Sequence, residues 1–139
     1  MRWIDRDHAG DEFASLTDYG LVVQNLRLIK RPGVNVWSKQ PNRWSEAAIA
    51  LDSQGRLLFL FSRAPRTAWE FNQMILTMPL GIVAAMHVEG GPAACLSVHT
   101  PAVRVDAAGS YETGHREDDK NIDQCPIPNV LGVVAAQHR

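Results

Sequence analysis

Residues 46–61 read EAAIALDSQGRLLFLF and carry the strongest structural signal in the chain. Two apolar runs of strand length, residues 46–51 and 56–61, flank the connection Asp-Ser-Gln-Gly at residues 52–55. A short connection that contains glycine between two such runs is typical of a β-hairpin. Both arms are apolar at nearly every position, which indicates strands covered on both faces. We therefore predict a hairpin in a central position of a sheet.

A helix is predicted directly after this hairpin. Thr67 and Glu70 have the spacing of a capping box, and Pro79 and Gly81 mark the end of the helix. An apolar stripe at helical spacing favours packing on a sheet over a metal-binding role for its methionines. The stripe consists of Ala68, Phe71, Met74, Ile75 and Met78.

Further strand patterns lie on both sides of this unit. Residues 21–29, 82–88 and 130–135 are apolar runs, and residues 94–98 continue from 82–88 as a second arm. Strands and a single helix in this order predict an α+β fold, with a mixed, largely antiparallel sheet and one main helix packed on it. The length of 139 residues is that of one domain, which we assign to the whole chain.

Composition and charge exclude several classes of partner. With 45% hydrophobic and 21% charged residues the chain is globular, and its net charge of -1 predicts no nucleic-acid partner. The longest uncharged stretch, residues 71–86, is too polar to span a bilayer, so no membrane partner is expected. The first residues are charged and do not resemble a signal peptide, and the compartment stays open.

No cofactor or metal is predicted. The chain contains no Walker loop, dinucleotide fingerprint or nucleophile elbow. Cys95 and Cys125 lack metal-ligand spacing; a disulfide between them is one alternative, and free thiols are favoured because nothing signals export. The histidines show no paired metal spacing either. They are His8, His87, His99, His115 and His138.

The sequence Val-Glu-Gly-Gly-Pro at residues 88–92 is the most informative polar feature. A buried strand here delivers the carboxylate of Glu89 to its end, and two glycines allow a ligand to approach the backbone. The alternative is a tight turn with a solvated Glu89. His87 and Glu89 are one residue apart, so on a regular strand they share a face and form either an acid–base pair or a half-buried histidine with a solvated neighbour.

A polar loop over residues 110–123 is the second such feature. It resembles a calcium loop in part, but Gln124 replaces the required glycine and Val130 the required glutamate, so an EF-hand is rejected. The loop is either a solvated surface or the border of a site to which it supplies Glu112, His115 or Arg116.

Five segments, taken in order, carry a family resemblance. They read LVVQN at 21–25, RWSEAAIALD at 43–52, TAWEFNQMILT at 67–77, AMHVEGGP at 85–92 and IPNVLGV at 127–133. Together they resemble the phosphodiester glycosidase domain, a family that includes the lysosomal uncovering enzyme and many bacterial proteins. The fourth segment is similar to the family motif Ala-Leu-Asn-Leu-Asp-Gly-Gly-Gly-Ser, and the fifth to Val-Pro-Asn-Ala-Leu-Gly.

The chain also departs from the family pattern. Glu89 stands where the family has aspartate, and Pro92 and Ala93 replace the third glycine and the serine. An upstream motif of the Asn-Ala-Gly-Phe type is missing, so we expect part of the N-terminal family fold to be lacking. A shortened sheet exposes an edge, and from this we expect a homodimer through that edge. Family members are often exported, whereas no signal is seen here.

The resemblance implies hydrolysis of a glycosyl phosphodiester or another sugar linkage, with a small sugar or sugar phosphate as substrate. Glu89 is then the acid, base or nucleophile, and Arg43 the cation that binds phosphate. The second carboxylate stays open among Glu46, Glu112 and Asp118. The implied substrate-binding residues are His87, Gly90, Gly91, Glu112, Arg116 and Asn129.

Two other functions remain open at this point. One is a catalytically inactive module that binds carbohydrate or phosphate on the same fold, which the substitution of glutamate for aspartate favours. The other is an interaction domain in which the same motifs are only sheet turns.

Overall fold

A computed structural model describes residues 2–5, 7 and 17–135, so His8 and His138 lie outside the described residues. Seven strands and one α-helix follow one another along this part of the chain. They are β1 (Arg27–Lys30), β2 (Val34–Asn35), β3 (Trp44–Asp52), β4 (Leu57–Arg66), α1 (Ala68–Thr77), β5 (Ile82–Gly90), β6 (Cys95–His99) and β7 (Arg104–Ala108). A short 3-10 turn, Gly91–Ala93, joins β5 to β6.

Five strands form the main sheet in the order β2-β1-β5-β3-β4, and each neighbouring pair is antiparallel. The predicted hairpin is confirmed as β3 and β4, with the glycine of its connection at φ +79°. A central position was predicted for both arms, and this holds for β3 only. β4 is an edge strand, and its apolar side chains are only partly buried.

The helix α1 packs on one face of this sheet, and its capping box is present as predicted. Phe71 and Ile75 of the helix are buried against Leu28 of β1 and against the small side chains of Ala48 and Ala50 in β3. Burial of such an apolar stripe against a sheet is the main source of stability for a helix this short. The α+β class with one main helix is therefore confirmed.

The other sheet consists of β6 and β7 and was predicted incorrectly. β6 pairs with β7 rather than forming a second arm of a hairpin with β5. The strand predicted at 21–29 is present only at its end, as β1, and residues 21–26 are irregular. The strand predicted at 130–135 is absent. Leu21 and Val134 are 80% and 89% exposed. Strand-like composition alone is not sufficient, because a strand needs a neighbouring strand to satisfy its backbone.

The described part of the chain holds no helix with the length and apolarity to cross a bilayer.

Candidate functional site

A β-bulge near the end of β5 determines which polar side chains meet. In the pairing of β3 with β5, His87 lies opposite Ala48 and Glu89 lies opposite Ala47, so Val88 is an extra residue. Directly opposed residues share a face of the sheet, and one inserted residue reverses the alternation. His87 therefore faces the helix side and Glu89 the other side. The expectation that they share a face was wrong.

His87 has a different carboxylate as its partner. Its Nδ1 lies 2.6 Å from Oε1 of Glu46, which sits on the same face two residues before Ala48. The indole N–H of Trp44 donates to the other oxygen of Glu46. The Glu46 side chain is 1% exposed and that of His87 is 15% exposed. Both oxygens of a fully buried carboxylate are thus occupied, as burial of such a group requires.

The imidazole of His87 is biased towards its protonated form. Burial of the ring opposes protonation, but the hydrogen bond to Glu46 and the negative charges of Glu46, Glu89 and Glu112 outweigh it. The balance raises the pKa of His87 above its ordinary value of 6.5. Since Nδ1 is bound to Glu46, Nε2 is the nitrogen left to meet a ligand.

Two glycines at the end of β5 allow the side chains of Trp44, His87 and Glu112 to pack closely against the backbone. Gly90 lies opposite Glu46, and a Cβ there would be 3.0 Å from Cδ1 of Trp44. Gly91 has φ +63°, and a Cβ on it would be 2.5 Å from Oε2 of Glu112. Glu112 also forms a β-bridge with Trp44, which places the two side by side.

We call this group the His87 cluster. It consists of Trp44, Glu46, His87, Gly90, Gly91 and Glu112.

The other predicted site residues are distributed around the cluster. Arg43 precedes Trp44, and its guanidinium binds Oε1 of Glu70 at 2.8 Å, at the N-terminus of α1. Arg116 donates its backbone N–H to the carbonyl of Glu112 at 2.9 Å. Its side chain approaches Asp118 at 3.4 Å.

Three of the sequence-predicted residues do not come together. Glu89 is exposed and accepts the backbone N–H of Gly90 at 3.0 Å, so that amide is already occupied. Asn129 is exposed in the irregular segment after β7. Among the described residues, no hydrogen bond or ion pair joins any two of Arg43, Glu89 and Asn129.

A cavity of about 430 Å³ lies at the opposite end of β3 and β5, beside Pro32, Leu51 and Val83. It is lined by none of the predicted site residues. Its polar lining includes Arg31, Asp52 and Ser53, and both oxygens of the Asp52 carboxylate already accept hydrogen bonds from Arg56. We therefore assign the candidate site from the contacts of the His87 cluster, where a histidine and two carboxylates converge.

From the sequence, Glu46 was only one of three candidates for the second carboxylate, and Trp44 was not among the predicted site residues. A signal for Glu46 was present: it is a charged residue directly before the apolar run at residues 47–51 of a buried strand, where burial demands a partner.

The family model described as phosphodiester glycosidase matches residues 4–134, nearly the whole chain. No curated protein matches the chain. No solved structure matches it.

Proposed function

Since this chain belongs to the phosphodiester glycosidase family, we propose that it hydrolyses a glycosyl phosphodiester or a related sugar linkage. Family membership supports a glycosidase-like function in general. The observation that carries the finer proposal is the hydrogen bond between buried Glu46 and His87, beside Glu112 and the two glycines. A small sugar or sugar phosphate is the proposed substrate.

His87 is the proposed group that meets the phosphate. A histidine with a raised pKa is protonated over a wider pH range and offers Nε2–H to an anionic oxygen. Glu46 acts as a positioning residue: it holds the ring through Nδ1 and stabilises the imidazolium charge. A proton donor fixed in this way is the arrangement used in general acid catalysis.

Glu112 is the proposed carboxylate on the sugar side. Hydrolysis forms a bond from a water oxygen to the anomeric carbon and breaks the bond from that carbon to the phosphate oxygen, which takes the electron pair. A carboxylate accepts the proton of the water, and His87 donates a hydrogen bond to the departing phosphate. The Glu112 side chain packs directly against Gly91, since a Cβ added there would lie 2.5 Å from its Oε2.

The assignments of Glu89 and Arg43 stay predictions. Glu89 faces the other side of the sheet from His87, so its participation requires a substrate that reaches around the end of β5. Arg43 donates one guanidinium N–H to Glu70, and its side chain is about half exposed, so a phosphate would share the guanidinium with that carboxylate. Asn129 and Arg116 stay predictions as sugar contacts.

The test compares turnover of a panel of chromogenic glycosyl phosphodiesters by the wild type and by four variants. His87→Gln, Glu46→Gln and Glu112→Gln remove the proposed groups, and Glu89→Gln is the matched control on the opposite face. We expect His87→Gln and Glu112→Gln to lower kcat/KM by about 10²–10⁴-fold, the usual range for an acid or base. Glu46→Gln should also move the pH profile, because the pKa of His87 falls.

The outcomes separate the assignments. Turnover that survives in His87→Gln and Glu112→Gln but is lost in Glu89→Gln would reject the His87 cluster and favour Glu89. If the wild type shows no turnover but sugar phosphates raise its melting temperature, the protein is a binding module and not an enzyme. No turnover and no change in melting temperature would reject the proposal of a sugar substrate or ligand.

A further inference from the structure

Gln124 attaches the segment after β7 to the second sheet. Its side-chain amide donates to Oγ of Ser97 at 3.0 Å and to the carbonyl of Ala107 at 3.1 Å, and it approaches the carbonyl of Leu96 at 3.4 Å. Gln124 therefore spans both strands of the β6–β7 hairpin. The residues next to these anchors are the cysteines: Cys95 precedes Leu96, and Cys125 follows Gln124.

The two cysteines are free, and each is partly buried. The anchor brings the start of β6 and the chain around Gln124 together across the same hairpin. Electrostatics agrees with this placement: burial raises the pKa of the Cys95 thiol, and the negative charges of Cys125 and Glu89 add to the effect.

We propose that Cys95 and Cys125 are a thiol pair that closes reversibly into a disulfide when a small-molecule disulfide such as oxidised glutathione is present. A thiolate of the pair attacks glutathione disulfide and releases one glutathione thiolate. The second cysteine then attacks the mixed disulfide and releases the other. Two protein thiols are oxidised, one glutathione disulfide is reduced to two thiols, and the two protons pass to them.

Closure would fasten residues 124 and 125 covalently to β6, where Gln124 now holds them by hydrogen bonds alone. The neighbouring thiol competes well with free glutathione because it acts at a high effective concentration. The pair is independent of the proposed hydrolase activity, since neither cysteine belongs to the His87 cluster.

The experiment incubates the native protein with oxidised glutathione, stops exchange with acid and measures the intact mass over time. We expect the final product to be lighter than the reduced protein by two hydrogen atoms, with no glutathione attached. Peptide mapping should then join the peptides of Cys95 and Cys125. Cys95→Ser and Cys125→Ser are matched controls, and each should end with one bound glutathione.

A third variant, at Gln124, tests whether this side chain positions the two cysteines for closure. Gln124→Ala removes the anchor without touching a thiol, so the mixed disulfide should persist several-fold longer before closure. Closure at the wild-type rate in this variant would overturn the role of Gln124. Glutathione on both cysteines of the wild type, or a disulfide between two chains, would overturn the proposal itself.

Discussion

The imidazole of His87 and the carboxylate of Glu46 lie 2.6 Å apart on neighbouring strands, although 41 residues separate them in the chain. Glu46 contributes both a hydrogen bond and a negative charge to the protonated ring. We predict that Glu46→Gln lowers the pKa of His87, measured by NMR titration of its ring resonances. Glu89→Gln should lower this pKa less, because Glu89 acts by charge alone. An equal effect of the two substitutions would contradict the assigned partner.

The same pair makes stability depend on pH. The pKa of His87 is raised in the folded chain above its ordinary value of 6.5, which applies to the unfolded chain. The folded state therefore binds the proton more tightly than the unfolded state. This stabilisation is complete below about 6.5 and is lost as the pH rises through the higher folded value. In urea unfolding, the free-energy difference between wild type and His87→Gln should shrink over that window. A difference that stays constant or grows with pH would refute it.

Gly91 is predicted to tolerate no side chain. Alanine there adopts φ +63° at a cost and places its Cβ against Oε2 of Glu112. Gly55 is the matched control, because its φ is +79° but a Cβ added to it would have nothing within 4 Å. We expect Gly55→Ala to lose about 1–2 kcal/mol of unfolding free energy, from backbone strain alone. Gly91→Ala should lose about 3 kcal/mol or more. Equal losses would mean that Glu112 does not restrict this position.

Features that depend on nearby residues were predictable from the sequence. The hairpin of β3 and β4 follows from two apolar runs around a glycine-containing connection, and α1 follows from its capping box and apolar stripe. In each case the decisive contacts lie within a few residues of one another. Local patterns of this kind carry their own physical cause.

Features that depend on pairing distant segments were not predictable. The pattern at residues 130–135 reads as a strand, yet no strand lies beside it in the part of the chain that the structure describes. The bulge at Val88 arises from the register between β3 and β5, and it reverses the face of Glu89. The partner of His87 depends on the same register. One inserted residue therefore places His87 beside Glu46 and leaves Glu89 on the other face, which removes the alternative in which His87 and Glu89 form an acid–base pair.

Arg63 is predicted to hold the loop that carries Glu112. Its guanidinium donates to the carbonyls of Ala108 at 2.7 Å and Asn121 at 2.8 Å, and it pairs with the Asp119 carboxylate. Lysine keeps the charge but not the planar fork that reaches several acceptors at once. Arg63→Lys should therefore cost about 1–3 kcal/mol of unfolding free energy.

The loop itself gives a second measurement for this substitution. Amide hydrogen exchange over residues 109–121 should accelerate in Arg63→Lys. Arg104→Lys is the control. The Arg104 side chain is 77% exposed, so loss of its planar guanidinium should change amide exchange little. Unaltered exchange in the Arg63 variant would show that the loop is held by other contacts.

Substitutions in the capping box of α1 provide the comparison that distinguishes a structural role of Arg43 from a functional one. The hydroxyl of Thr67 accepts the backbone N–H of Glu70 at 3.1 Å, and the Glu70 carboxylate accepts that of Thr67. Thr67→Ala leaves an unsatisfied amide at the helix start and should cost about 1 kcal/mol, whereas Thr67→Ser should be almost neutral. Arg43→Met removes only an ion pair that is half exposed, so thermal unfolding should show a smaller change.

If Arg43 also binds phosphate, Arg43→Met should raise KM for a phosphodiester substrate and change the melting temperature only slightly. Thr67→Ala should do the reverse, because it weakens the helix and leaves the guanidinium in place. A KM that is unchanged in Arg43→Met would assign this arginine to the helix N-terminus alone.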